Sequence, residues 1–232
     1  MDLARNRLLS EVEADGLMAF LRERTESVQG AERVSAQLDE VIITALLLSG
    51  LRNSEFCGLT MGDTIVGSGE SALVVRGPAA RSRTVFVPRR VSVLIGQYVD
   101  GVRRRFVPPG VDPSDRTQPL VLNEHRRPYE RTGLYRRVVR ILTEAGLGDR
   151  ASVQLLRHTY GYLAYLRTGG NLLFVQRQLG HAHPRITSVY AKFVDESYAD
   201  LAERIVPGER QPAGFDKGVY ARRREEFDCE TD

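Results

Sequence analysis

The longest apolar run in the chain, Val41–Leu48, is interrupted only by Thr44, and Gly50 follows two residues later. The run is too short to span a bilayer. It also begins nearly forty residues in, too late for a secretory signal. Such a segment has to be buried in protein, and it predicts a core helix over Gln37–Ser49 that Gly50 ends at the usual C-terminal place. A chain of 232 residues is long enough to build that core as one large domain or two small ones, without disulfides or metals. Its 42% hydrophobic and 27% charged residues are ordinary for a soluble globular protein. The two cysteines, Cys57 and Cys229, match no metal or redox spacing, so reduced thiols in a cytoplasmic setting are the simplest expectation.

Around the core helix the pattern is mainly α with a small three-stranded antiparallel β-sheet. Arg5–Arg24 reads as an amphipathic helix with Leu8, Leu9, Val12, Leu17, Phe20 and Leu21 on its apolar positions, and Thr25–Ser35 as a polar loop. Asn53 or Ser54 caps a short helix over Glu55–Leu59. Three β-type runs follow at Asp63–Val66, Ala72–Arg76 and Thr84–Val87, with turn signals at Gly67-Ser68-Gly69 and Gly77-Pro78. Helices are then expected over Arg89–Phe106, Arg131–Ala145, Val153–Arg167, Leu172–Leu179, Arg185–Val194 and Glu196–Ile205, with a Pro-rich loop over Pro108–Pro119. Pro207–Asp232 carries Pro, Gly and charge without periodicity and reads as a flexible tail.

The formal charge of +3 hides an uneven distribution. Arg76–Arg157 holds 17 Arg, no Lys and 7 acidic residues, a balance of +10, while the remainder carries 16 basic and 23 acidic residues, a balance of −7. A basic centre between more acidic ends fits a polyanion, with DNA the obvious one. Lys192 and Lys217 are the only lysines, so Arg enrichment by composition alone, giving a solvated face, stays open.

The chemistry-bearing residues lie in three places: Gly50-Leu51-Arg52 with Glu55, Arg157-His158, and Leu179-Gly180-His181 followed by Tyr190 nine residues on. Breaking a phosphodiester without a metal needs a nucleophile able to hold a phosphoryl group, for which Tyr serves. It needs planar donors for the non-bridging oxygens, which Arg supplies. It also needs a group that stabilises charge or moves a proton, which His supplies. In order and spacing these residues resemble the boxes of the tyrosine recombinase, or phage integrase, family: Leu46–Glu55, then Gln154-Leu155-Leu156-Arg157-His158-Thr159, then Leu179-Gly180-His181 with Tyr190. The resemblance covers roughly residues 5 to 205.

That resemblance implies a site-specific recombinase or integrase, of the kind mobile elements carry, that cuts and rejoins double-stranded DNA through a 3′-phosphotyrosyl link without metal or other cofactor. Arg52 and Arg157 would clamp the scissile phosphate, His181 would support the transition state, Tyr190 would attack, and Glu55 would orient Arg52. Two positions depart from the family pattern. The turn Arg76–Arg83 has no Lys to protonate the departing oxygen; Arg76 stands in its place, with Arg81 and Arg83 as other donors. Gln154 stands where a His is usual, able to hydrogen-bond phosphate but not to act as acid or base. Arg76 and Gln154 read equally as working groups or as remnants. A catalytically impaired DNA-binding or regulatory relative on the same fold is the alternative, and a DNA-relaxing topoisomerase shares the chemistry.

Arg81, Arg83, Arg126, Arg127, Arg136, Arg137 and Arg140 are candidate DNA contacts, the last five read equally as solvated surface. Tyr160, Tyr162 and Tyr165 read as packing residues, and His181-Ala182-His183 lacks the further ligands a metal needs. The expected organisation is a catalytic domain over residues 1–206 and a tail over 207–232. The family's separate N-terminal core-binding domain is expected to be absent, because Arg52 comes too early for it. Self-association on DNA, from dimer to tetramer, and no membrane partner complete the expectation.

Overall fold

The computed structural model of the chain describes residues 7–66, 70–77 and 82–193. The expected helix Glu196–Ile205, the tail 207–232 and Arg81 lie outside the described residues.

The first helix, α1 (Glu11–Ser27), is started by Ser10, whose hydroxyl accepts from the Glu13 N–H while the Glu13 carboxylate accepts from the Ser10 N–H. It buries Ala14, Leu17, Met18 and Leu21, whereas Val12, expected on the apolar face, is exposed. The next helix, α2 (Gly30–Ser49), starts well before the expected Gln37, and the connection is only Val28 and Gln29. The polar run Thr25–Ser35 is therefore mostly helix; it is polar because Glu26–Ser27 and Ala31–Arg33 face solvent at two adjoining helix ends. From Ala36 onward nearly every side chain of α2 is buried, and the helix packs against α1, α4 (Arg89–Asp100), α6 (Arg131–Glu144) and α7 (Val153–Arg167). Asp39 in that core has no exposed surface and accepts from Arg24, Arg137 and Arg140.

Arg52, rather than Asn53 or Ser54, takes the capping place of the short helix α3 (Asn53–Cys57). The sheet follows as β1 (Thr64–Val66), β2 (Ser71–Arg76) and β3 (Ser82–Phe86), antiparallel in the order β1-β2-β3. Leu73 pairs with Val85 and Val75 with Arg83, so these four residues share one face. Arg76 pairs with Ser82 and alternates to the other. The expected single helix Arg89–Phe106 is two, α4 and α5 (Val102–Phe106), because Gly101 at φ −107° and ψ −93° is not helical. Arg103 of α5 is buried and donates to the carbonyls of Pro113, Pro119 and Leu120, which anchors the irregular stretch expected over Pro108–Pro119. Beyond α7, α8 (Leu172–Leu179) lies on β3. The expected helix from Arg185 is one α turn, α9 (Pro184–Thr187), tightening to a 3-10 turn over Ser188–Phe193. Among the described residues no helix is long and apolar enough to cross a membrane.

Candidate active site

Two helix ends build the site. α2 closes on Gly50 at φ 64° and α8 on Gly180 at φ 62°. The left-handed conformation costs other residues roughly 1–2 kcal/mol. A side chain at Gly50 would also strike the Tyr160 ring at 2.4 Å, and one at Gly180 the Arg83 guanidinium at 2.9 Å. The carbonyls at these ends turn to the arginines. Arg157, buried on α7, donates to Gly50 O at 2.5 Å and to Leu179 O at 2.7 Å, and Arg52 donates to Gly180 O at 3.2 Å. Helix C-termini carry partial negative charge, so both guanidiniums sit where the dipole favours them. Burial, and then the charge of Arg52, lowers the Arg157 pKa to about 10, which still leaves it charged at neutral pH.

Glu55 ties the first arginine to the sheet. Its carboxylate accepts from the Arg52 N–H at 2.8 Å, from Arg52 Nη1 at 2.7 Å, and from both terminal nitrogens of Arg83 at 2.7 and 2.8 Å. Burial works against the charged carboxylate, but the Arg83 and Arg52 hydrogen bonds and the Arg83 charge overcome it and hold the pKa at about 2. Arg83 also donates through Nε to Gln178 O at 3.2 Å, so one guanidinium links β3, α3 and α8.

His181 follows Gly180 directly, and its Nδ1 lies 3.0 Å from the Thr187 hydroxyl. Burial, then the charges of Arg157 and Arg52, lowers its pKa to about 4, so the ring is neutral at neutral pH. Tyr190 is 2% exposed and packs with Tyr160, Val175 and Leu179. Its hydroxyl lies 3.3 Å from Nδ1 of His158, and the two ring centroids are 6.4 Å apart. Burial raises the phenol pKa, and the Arg157 charge opposes this.

Arg52, Glu55, Arg157, His181 and Tyr190 are thus gathered on adjoining parts of α3, α7, α8 and the segment that follows. Gln154 is exposed on the first turn of α7, one turn from Arg157. Arg76 is not drawn into the cluster. It lies on the opposite face of the sheet from Arg83 and forms an ion pair with Asp63 at 2.8 Å. Arg83 is the sheet cation that reaches the site, as a partner of Glu55 rather than as an open donor.

Among the expected DNA contacts, Arg126, Arg127 and Arg136 are exposed. Arg137 is a correction. Its side chain is 10% exposed and is bound to Asp39, Glu124, Tyr129 and Ser35, so it is a largely enclosed structural cation and not an open phosphate donor. Arg140 is partly exposed and shares Asp39, with Glu144 as a second carboxylate. Among the described residues no three His, Cys, Asp or Glu side chains are grouped as metal ligands would be.

Three features are not expected from the sequence: Arg83 as the partner of Glu55, His158 as the partner of Tyr190, and Gly161 beneath the Tyr190 ring. The alternation of β2 and β3 carries the first signal, since Arg83 is the one charged residue opposite a buried Val75. A glycine inside the helical run Val153–Arg167 carries the last.

Fold and cluster together define an α+β domain that brings three guanidiniums to the ends of α2 and α8, with His181 and Tyr190 on the turns that follow. The chain belongs to the phage integrase family, whose family model matches residues 7–196. It is 29% identical over 169 residues to tyrosine recombinase XerC of Nitrobacter winogradskyi, which covers 73% of this chain and 50% of that protein. It is 31% identical over 180 residues to tyrosine recombinase XerA of Pyrococcus furiosus, covering 74% of this chain and 58% of that protein. The chain thus spans about half the length of the curated relatives it matches. The fold is that of XerH site-specific recombinase bound to palindromic difH substrate in a post-cleavage complex, with a TM-score of 0.67 and 22% identity over 86% of this chain and 53% of that one. The Tn1549 transposon integrase in complex with circular intermediate DNA is also similar, with a TM-score of 0.64 and 17% identity over 88% of this chain and 69% of that one.

Proposed function

We propose that the chain carries the catalytic site of a site-specific DNA recombinase or integrase. What supports the reading is that Arg52, Arg157 and His181 meet at the ends of α2 and α8, with Tyr190 on the turn that follows and Glu55 as the carboxylate that binds Arg52 and Arg83. Two carbonyls accept from Arg157 without cancelling its charge, which suits a site that awaits an anion. On a duplex, the Tyr190 oxygen would bond to phosphorus as the bond from phosphorus to the 5′ oxygen breaks. One proton leaves the phenol and one reaches the departing oxygen. The reverse attack by a 5′ hydroxyl rejoins strands, so no cofactor is consumed.

Arg126, Arg127 and Arg136 would meet backbone phosphates around the site, with Arg140 and Arg81 as further candidates and Gln154 as a neutral donor to the scissile phosphate. Double-stranded DNA is the partner, protomers associate on it as dimers to tetramers, and the cytoplasm is where such a protein works. A duplex nicked beside the cleavage site, so that the 5′ fragment diffuses away, should accumulate a covalent protein–DNA adduct with the parent protein and none with Tyr190→Phe. Equal trapping by Tyr190→Phe would overturn the assignment.

One observation favours a second reading. Arg76 is paired with Asp63, and Arg83, the other described arginine of the β2–β3 hairpin, is engaged by Glu55. A relative that binds DNA without cutting it would show salt-sensitive binding and no adduct on any substrate.

A further inference from the structure

We propose that Gly161 and His158 form a storage site for the Tyr190 phenol, which the ring must leave before it can reach a phosphate. The inference rests on the reading of Tyr190 as nucleophile.

Gly161 lies in the interior of α7, where glycine is roughly 0.5–1 kcal/mol less favourable than alanine. Two other helix glycines, Gly16 and Gly96, have open space where a side chain would begin. Gly161 does not. A Cβ there would lie 2.3 Å from Cζ of Tyr190, 2.6 Å from its hydroxyl and 2.7 Å from Cε1. The missing methyl is the space that the end of the ring occupies. His158, one turn earlier on the same helix, faces the hydroxyl at 3.3 Å, while Tyr160, Val175 and Leu179 enclose the rest. The phenol is therefore seated both sterically and by a hydrogen bond, on the helix that also carries Arg157.

That seat is incompatible with attack. A nucleophilic oxygen must come within about 3–3.5 Å of phosphorus, and a duplex phosphate arrives from solvent. Arg52 is open to it, with 42% of its side chain exposed, whereas Tyr190 is 2% exposed. Tyr190 stands on a six-residue 3-10 turn preceded by a single α turn, elements with few internal hydrogen bonds that open at low cost. Stored and reactive positions are then two states of a short segment, and phosphate bound at Arg52 and Arg157 favours the second. Gly161 and His158 act as positioning residues, setting how often the nucleophile is presented.

Tetranitromethane nitration, read residue by residue by peptide mass spectrometry on the full chain without DNA, tests this independently of activity. Tyr135, 46% exposed, is the internal reference. Tyr190 should react at least about tenfold more slowly than Tyr135 in the parent, as expected of a group exposed only in a minor state. In Gly161→Ala, which fills the seat, and in His158→Ala, which removes the hydrogen bond, the Tyr190 rate should rise severalfold while Tyr135 is unchanged. Parent Tyr190 reacting as fast as Tyr135 overturns the proposal, as does unchanged protection in Gly161→Ala. Should that variant lose cooperative unfolding, the His158→Ala rate decides in the same way. On the nicked duplex, Gly161→Ala should trap adduct faster than the parent. If no variant forms an adduct while the nitration pattern holds, the storage site stands and the catalytic reading of Tyr190 falls.

Discussion

Replacing Glu55 with Gln removes one negative charge and almost no volume from the centre of the site. The Glu55 pKa stands at about 2 instead of the ordinary 4.5, because the bonds from Arg83 and Arg52 outweigh the cost of burial. At about 1.4 kcal/mol per pH unit, that gap corresponds to roughly 3 kcal/mol of folding stability at neutral pH. The side chain is only 13% exposed, so solvent screens little of it. The folded-state pKa is depressed, so the contribution is complete above about pH 4.5 and disappears as pH falls toward 2. Urea unfolding of parent and Glu55→Gln checks both halves. With a slope of about 2 kcal/mol per molar, the midpoints at pH 7 should differ by about 1.5 M. At pH 3 the difference should fall to less than half, since by then the parent has lost most of the same interaction. Coincident midpoints at pH 7, or a gap that does not shrink with acid, would refute the claim that this carboxylate holds Arg52 and Arg83 by charge.

Asp39→Ala should cost about 3–5 kcal/mol, because the carboxylate is fully buried and its loss leaves Arg137, itself 10% exposed, without its inner partner. Calorimetry should show unfolding about 10 °C lower, and a shift of under about 2 °C would mean that Glu124 and Glu144 satisfy the arginines alone. His181 should stay neutral down to about pH 5 in the free protein, held there by burial and by Arg157, Arg52, His158 and Arg83, with its pKa near 4. Its pKa is lower folded than unfolded, so stability should fall as pH drops from 6.5 toward 4. The Cε1 proton in an NMR titration reports this directly. A midpoint near 6.5 without DNA would refute it, and a bound duplex should move the midpoint upward.

What the sequence made legible was whatever rests on local pattern. Gly50 after an apolar run, the alternation of three short strands and the spacing of His181 to Tyr190 each depend on neighbours in the chain, and the structure shows the helix and the sheet and places His181 and Tyr190 on the adjoining turns that follow α8. The start of α2 was not legible, since Thr25–Ser35 is polar for reasons of solvent exposure that a loop shares. Nor was the partition among seventeen closely spaced arginines, because burial decides it. Arg136 and Arg137 are adjacent in sequence, yet one faces solvent and the other is bound to Asp39, 98 positions away. The same holds for Arg76 and Arg83, which the strand register sends to opposite faces.

The partners of the central arginines explain why such a cluster can exist without a bound anion and still favour one. Arg52, Arg83 and Arg157 bring three positive charges, and Glu55 returns one, leaving +2 among these four groups. Full carboxylate pairing would be steadier in the free protein but would occupy the donors that a phosphate needs. Helix-end carbonyls are a compromise: they satisfy donor hydrogens and orient the planes without cancelling the charge. Burial first, and then the charge that remains, lowers the pKa of Arg157 to about 10 and of His181 to about 4. A phosphate diester that enters opposes both shifts, because a nearby negative charge favours the protonated form of each. Cation placement therefore comes from Gly50, Leu179 and Gly180, positions where the backbone rather than the side chain acts, and a change at either glycine should reach the bound phosphate through the arginine it holds.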